Sequence, residues 1–371
     1  MIQGAISADS HITEPPNCYK DFIDPKYRDD APFVAPDDHG GERYVIPGME
    51  ATIPLSLVAA AGIDAQKLSP VGTKFSELHR SGWDAKLRAG DQDRDGVAAE
   101  IIYASVGMAL CSHPDWNYKH ACFEAYNRWL AEFCADAPDR VYGLAQSAIV
   151  SVEQSIKDFE KAKEMGFVGI MMPGDPQVED YDHPMYDPLW ECAADLELPL
   201  SFHILTSKRG EIQTVLDSTR GNKLNGFLNI IRSCQDIVGL FTLGGVFERH
   251  PKLKLVCAEA DAGWVPHYMY RSDHFFERHG YWMEARQISR LPSEYIRENI
   301  WFTFQDDATA FQSLNMMNPK RLCWASDFPH SDSTWPDSQT VLDEQTKHLT
   351  AEERDWITRT NVAELYNLPV E

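Results

Sequence analysis

Positive charge is scarce in this sequence. Of 371 residues, 34 are Lys or Arg and 57 are Asp or Glu, a formal net charge of −23. Nucleic acids and anionic membranes are bound through basic surfaces, so neither is expected as a partner. Long apolar runs are also missing, and none approaches the roughly 18–20 residues of a membrane span. Residues 1–9 carry no basic segment followed by an apolar stretch, so no signal peptide is expected. The eight cysteines (Cys18, Cys111, Cys122, Cys134, Cys192, Cys234, Cys257 and Cys323) form no C-x-x-C pair. Several sit inside apolar runs, as buried free thiols do. That pattern excludes a zinc ribbon and fits a reducing, cytoplasmic setting. No G-x-G-x-x-G or Walker loop follows an early strand, which removes the usual support for a nucleotide-binding open sheet. There is no internal repeat.

What is present is a regular alternation. Apolar runs at 5–11, 99–105, 141–150, 167–172, 198–205, 253–260, 300–304 and 322–325 read as strands. Mostly helical segments separate them. Residues 116–135 place Phe123, Tyr126, Leu130 and Phe133 at helical spacing. Ser151 and Gln154 cap a helix that Gly166 ends, and Thr350 with Glu353 caps the last one. Eight strand–helix units imply parallel pairing and a closed (β/α)8 TIM-like barrel. The chain therefore reads as one barrel domain over 1–371. Residues 17–90 fit no single element and read as an inserted, partly helical cap after the first strand. They would equally serve as a contact in a homo- or hetero-oligomer.

Four strand ends carry groups able to hold a metal: Asp9 with His11, then His203, Glu259 and Asp327. In a barrel all strand C-termini share one rim, so residues hundreds apart in sequence meet there. Asp9 and His11, at i and i+2, share a strand face, and Glu259 shares a face with Leu253, Leu255 and Cys257. Glu14 lies three residues beyond His11, and His330 three beyond Asp327. Imidazole mixed with carboxylate suits zinc first, then manganese, iron or cobalt. Asp327 at the metal is placed to accept a proton from an activated water. Glu259 is a general base or, with Glu14, a ligand for a second metal. His330 protonates a leaving group or orients a substrate oxygen. Lys208 and Arg209 would meet a substrate carboxylate or serve as surface charge.

Several stretches carry a resemblance: D-S-H-I-T-E-P-P (9–16), L-P-L-S-F-H (198–203), H-P-K-L-K-L-V-C-A-E (250–259), G-W-V-P (263–266) and W-A-S-D-F-P-H-S-D-S-T-W-P (324–336). In these pieces and their order the chain resembles the amidohydrolase-related family that includes aminocarboxymuconate semialdehyde decarboxylase and the γ-resorcylate decarboxylases. The resemblance implies a distorted eight-stranded barrel with a divalent metal at its rim. It implies that Asp9, His11, His203 and Asp327 are the ligands. The sequence departs from the decarboxylase pattern twice. Asp9 stands where many members have His or Glu, and Glu259 stands where the decarboxylase has a proton-transferring His.

The expected function is a metal-dependent hydrolase or non-oxidative decarboxylase. It would act on a small carboxylated or aromatic substrate, through a metal-activated water or a metal-polarised substrate. An oxygen-dependent hydroxylase with two iron or manganese ions on the same scaffold is the alternative. An inactive barrel acting as a partner subunit is the third, and it would require missing ligands where this chain has them.

Overall fold

The computed structural model describes residues 2–206, 221–222, 224–283, 285 and 287–370. Strand β1 (Ala5–His11) is followed by three short strands, β2 (Phe33–Pro36), β3 (Glu42–Val45) and β4 (Ile53–Pro54). The chain then supplies β5 (Val97–Tyr103), β6 (Val141–Gln146), β7 (Gly169–Met171), β8 (Leu200–His203), β9 (Leu255–Ala258), β10 (Ile300–Phe304) and β11 (Leu322–Trp324). Strand β1 and strands β5 to β11 form one sheet in chain order, and each adjacent pair is parallel. The two edge strands meet just past their ladders. Asp327 N donates to Asp9 O at 3.0 Å and His11 N donates to Phe328 O at 2.7 Å. Helices fill the connections, and the architecture is a nearly closed TIM barrel, as the alternation predicts.

The strands are nearly continuous apolar runs because both faces are covered, one by helices and one by the barrel interior. All five residues of β10, Ile-Trp-Phe-Thr-Phe, are buried. The helix Trp116–Ala135 buries Phe123, Tyr126, Leu130 and Phe133, the spacing the sequence shows, and Asp115 caps its first amides. Ser151 caps Val152–Glu164 by accepting from Gln154 N. Thr350 and Glu353 form a reciprocal capping box.

Most strands stop earlier than their apolar runs. The run at 141–150 is a strand only to Gln146, and that at 198–205 only to His203. Beyond these points the chain turns over the rim, where neighbouring strands no longer offer a straight ladder. The segment 17–90 differs more. It holds the short helices Cys18–Phe22 and Leu55–Val58, several 3-10 turns and the start of the helix Ala85–Asp95. It also holds an antiparallel sheet of β2, β3 and β4. These strands are too short and too interrupted by Pro, Gly and Asp to show a period in sequence. Among the described residues no helix is long and apolar enough to cross a membrane.

Candidate metal centre

Asp9 and His11 leave the C-terminal end of β1, where a register irregularity between Ser7 and Ser10 adds a residue against β5. A bulge of this kind re-aims side chains at a barrel rim. His203 is the last residue of β8. Glu259 and Asp327 follow β9 and β11, and both take left-handed backbone, with φ of 53° and 56°. That conformation is uncommon for non-glycine residues and is held where the surroundings enforce it. Strand alternation therefore does not orient Glu259; the left-handed turn after Ala258 does.

These five side chains converge. His11 Nε2 lies 3.3 Å from Asp9 Oδ1, 3.5 Å from Asp327 Oδ1 and 3.7 Å from Glu259 Oε2. His203 Nε2 lies 3.1 Å from Glu259 Oε2 and 3.5 Å from Asp9 Oδ2. Asp9, His11, His203 and Glu259 each offer one ligand atom, all within 4.8 Å of one another, and so do His11, Glu259, Asp327 and His330. Asp9, His11, His203 and Asp327 are fully buried. Thr303 of β10 braces the group, donating to Asp9 Oδ2 at 3.1 Å and accepting from Glu259 N at 2.8 Å.

The donor set fits a divalent cation. His11 Nδ1 is 3.1 Å from Ala104 O and His203 Nδ1 is 3.0 Å from Ile204 O. A carbonyl only accepts, so each Nδ1 carries hydrogen and each Nε2 of a neutral ring turns its lone pair to the cluster. Asp9 Oδ1, His11 Nε2 and Glu259 Oε2 are buried without a hydrogen-bond partner. Buried polar atoms left so, facing one another, are what a cation would satisfy.

The electrostatics agree. Burial alone would raise Asp9, but the charge on His203 and contacts with both histidines hold its pKa below the usual value. Burial would likewise raise Glu259, yet the closeness of His11 and His203 brings it far down. Burial works to lower His203, but Asp9 and Glu259 push it well above its usual value. Negative charge is thus in excess here, and positive charge is drawn in.

Asp327 and His330 form a second unit. His330 stacks on His11 with ring centroids 3.7 Å apart. Its Nδ1 is 3.1 Å from Asp327 Oδ1 and its Nε2 is 2.8 Å from Ser105 Oγ. Ser105 Oγ spends its proton on Ile12 O at 2.7 Å, so it accepts from His330 Nε2. Burial, Glu259 and Asp9 drive the Asp327 pKa well up, while burial and His11 drive the His330 pKa well down. Both shifts run toward the uncharged forms, and the Nδ1 of His330, bare when Nε2 donates to Ser105, faces Asp327 Oδ1.

Glu14 stands apart from both groups. Its Oε1 accepts from the amides of Ser105, Val106 and Gly107, at 3.1, 2.9 and 3.3 Å. These open the short helix Val106–Leu110. Burial raises its pKa to about 7. Lys208 and Arg209 lie outside the described residues.

Sequence reading did not reach Arg88, Glu100, Ser105 or Thr303. Arg88 is fully buried beneath the site and donates to His11 O at 2.7 Å and Phe328 O at 3.0 Å. It thereby ties β1 to the turn that carries Asp327. The one signal in sequence was the charged Glu100 inside the apolar run of β5, a burial that demands a partner.

An amidohydrolase family model matches residues 77–368. A decarboxylase, OrsB of Emericella nidulans, is 23% identical over 225 residues. That match covers 56% of this chain and only 65% of the relative's length. Among solved structures, an amidohydrolase of Mycobacterium avium subsp. paratuberculosis superposes with a TM-score of 0.79 at 18% identity, covering 99% of this chain and 100% of that one. The 5-carboxyvanillate decarboxylase of Novosphingobium aromaticivorans, solved with manganese and 4-hydroxy-3-methoxy-5-nitrobenzoic acid, gives 0.69 at 18% identity, covering 98% and 96%. These structural likenesses carry the fold.

Proposed function

The chain belongs to the amidohydrolase family, and from that premise we propose that it is a divalent-metal-dependent, non-oxidative decarboxylase of a small hydroxylated aromatic acid. The observation that carries this is the placement of Asp327, fully buried at the rim with its Oδ1 3.5 Å from His11 Nε2 and 3.1 Å from His330 Nδ1. Loss of CO2 from an aryl acid requires a proton delivered to the carbon that loses it. Asp327 is the acid in reach, and His330 fixes its orientation and takes part of its hydrogen bond. Asp9, His11, His203 and Glu259 would hold the metal, with Asp327 at its edge. When bound, a divalent cation there would polarise the substrate's carboxylate and hydroxyl oxygens as a Lewis acid. Glu259, where decarboxylases of this type have histidine, is read as a ligand. Zinc is the first expectation from the donor set, and manganese, bound in the solved 5-carboxyvanillate decarboxylase, is its rival. We read the chain as a single barrel domain with 17–90 as its cap.

Hydrolysis remains the second reading, because the same donors serve it. Elemental analysis of protein purified without added metal, followed by anaerobic assays of CO2 release on hydroxybenzoic acids, separates the readings. One metal per chain with CO2 release is expected, and Asp327→Ala should lose turnover while the fold survives. An Asp327→Ala protein as active as the native one would sink the proposal, and oxygen consumption coupled to turnover would favour the hydroxylase.

A further inference from the structure

The cavity above the metal centre encloses about 370 Å³, a size that takes a whole small-molecule ligand. Its lining is mixed. Ser105, Glu259, Gln305, Asp327 and His330 supply polar groups. An aliphatic wall comes from four separate parts of the chain. The inserted segment gives Leu57, Val58 and Leu68, the helix Val106–Leu110 gives Met108, the turn after β8 gives Ile204, and the helix Leu224–Leu243 gives Ile230. Among the described lining residues there is no Lys or Arg. The charged ones are all acidic, with Asp261 and Asp332 standing near Glu259 and Asp327.

A second carboxylate on the substrate, away from the metal, would therefore meet no Lys or Arg among the described lining residues. An uncharged apolar substituent would instead bury itself against the wall. We propose that the substrate is a monoacid with one polar end for the metal centre and an extended, uncharged apolar body, such as an alkyl chain or a second ring. This rests on the decarboxylase reading for which end of the ligand is polar, but its evidence is the wall.

The test uses metal-loaded protein and titration calorimetry with 2-hydroxybenzoic acid, its 6-methyl, 6-propyl and 6-pentyl derivatives, and 4-hydroxybenzene-1,3-dicarboxylic acid. CO2 release is followed separately. Burial of each methylene should tighten binding by about fourfold, and the diacid should bind more weakly than the monoacid. Leu57→Lys, and independently Leu68→Lys, should flatten the chain-length series and improve the diacid; both residues are partly exposed and tolerate a lysine stem. A series flat or falling with chain length in the native protein, or a diacid bound as tightly as the monoacid, would overturn the inference. If affinity rises along the series and no CO2 appears, the decarboxylase reading fails and the substrate shape stands. If 2-hydroxybenzoic acid is turned over while affinity ignores the chain, the reaction stands and the shape fails.

Discussion

Arg88 and Glu100 form a fully buried ion pair, with Arg88 Nε 2.5 Å from Glu100 Oε2. Arg88 Nη2 adds a contact to Glu100 Oε1 at 3.2 Å, and Gln92 Nε2 donates to Oε2 at 2.6 Å. Two more guanidinium hydrogens reach His11 O and Phe328 O. The pair therefore spans the helix before β5, β5 itself and both edges of the barrel closure. Removing one partner strands the other charge in the interior. Glu100→Ala is expected to cost about 3–5 kcal/mol, read as a lowered urea midpoint with an unchanged slope. Metal affinity should fall with it, because Arg88 then no longer pins the main chain at His11. A stability loss under about 1 kcal/mol would show that the charge is relieved some other way.

His330 touches Asp327 and Ser105; it belongs to the group with His11, Glu259 and Asp327, and not to the group of Asp9, His11, His203 and Glu259 proposed to hold the metal. Its loss should therefore remove proton handling and leave the cation in place. His330→Ala is expected to lower kcat by about 10²–10⁴-fold with metal content unchanged by elemental analysis. Loss of metal along with activity would make His330 a ligand instead.

Asp9, Glu259 and Asp327 bring three carboxylates into one buried space with two histidines. A cation bound there stabilises the native state and has little affinity for the unfolded chain. At a free metal concentration about 1,000 times Kd the gain is about 4 kcal/mol. Dialysis against a chelator should lower the midpoint of thermal unfolding, and returning the metal should restore it. An unchanged midpoint on chelation would mean that these residues hold no cation.

Much of this was legible in the sequence because it depends on local pattern. The eight apolar runs give the barrel, and the barrel makes strand ends neighbours. That reasoning is enough to put His203 and Asp327 on one rim. What escaped depends on backbone geometry that no periodicity records. Glu259 and Asp327 are aimed by left-handed residues just past their strands, and a pattern of hydrophobicity is blind to the sign of φ. Glu14 lies close to His11 in sequence, but no pattern shows that its Oε1 accepts from three amides of another segment while its Oε2 stays buried without a hydrogen-bond partner. Thr303 reads as an ordinary strand residue, and its bonds to Asp9 and Glu259 exist because three strands meet.

Asp95 offers a test of the pH dependence of folding away from the metal. It ends the helix Ala85–Asp95 and holds the start of the helix Ser338–Thr346, accepting from Ser338 N at 3.0 Å and Ser338 Oγ at 2.6 Å. Burial raises its pKa from 3.8 to about 6; the Ser338 bonds oppose the rise, and Glu100 and Asp337 add to it. Between those two values the native state keeps a proton that the unfolded chain has released. The resulting stability is full below about pH 3.8 and is lost as pH rises through about 6. Asp95→Asn cannot titrate, and its amide still accepts from Ser338 N while donating to Ser338 Oγ. Urea midpoints taken across about pH 4 to 7.5 should therefore fall less steeply with pH in the variant than in the native protein. Parallel curves would show that Asp95 does not hold its proton in the folded chain.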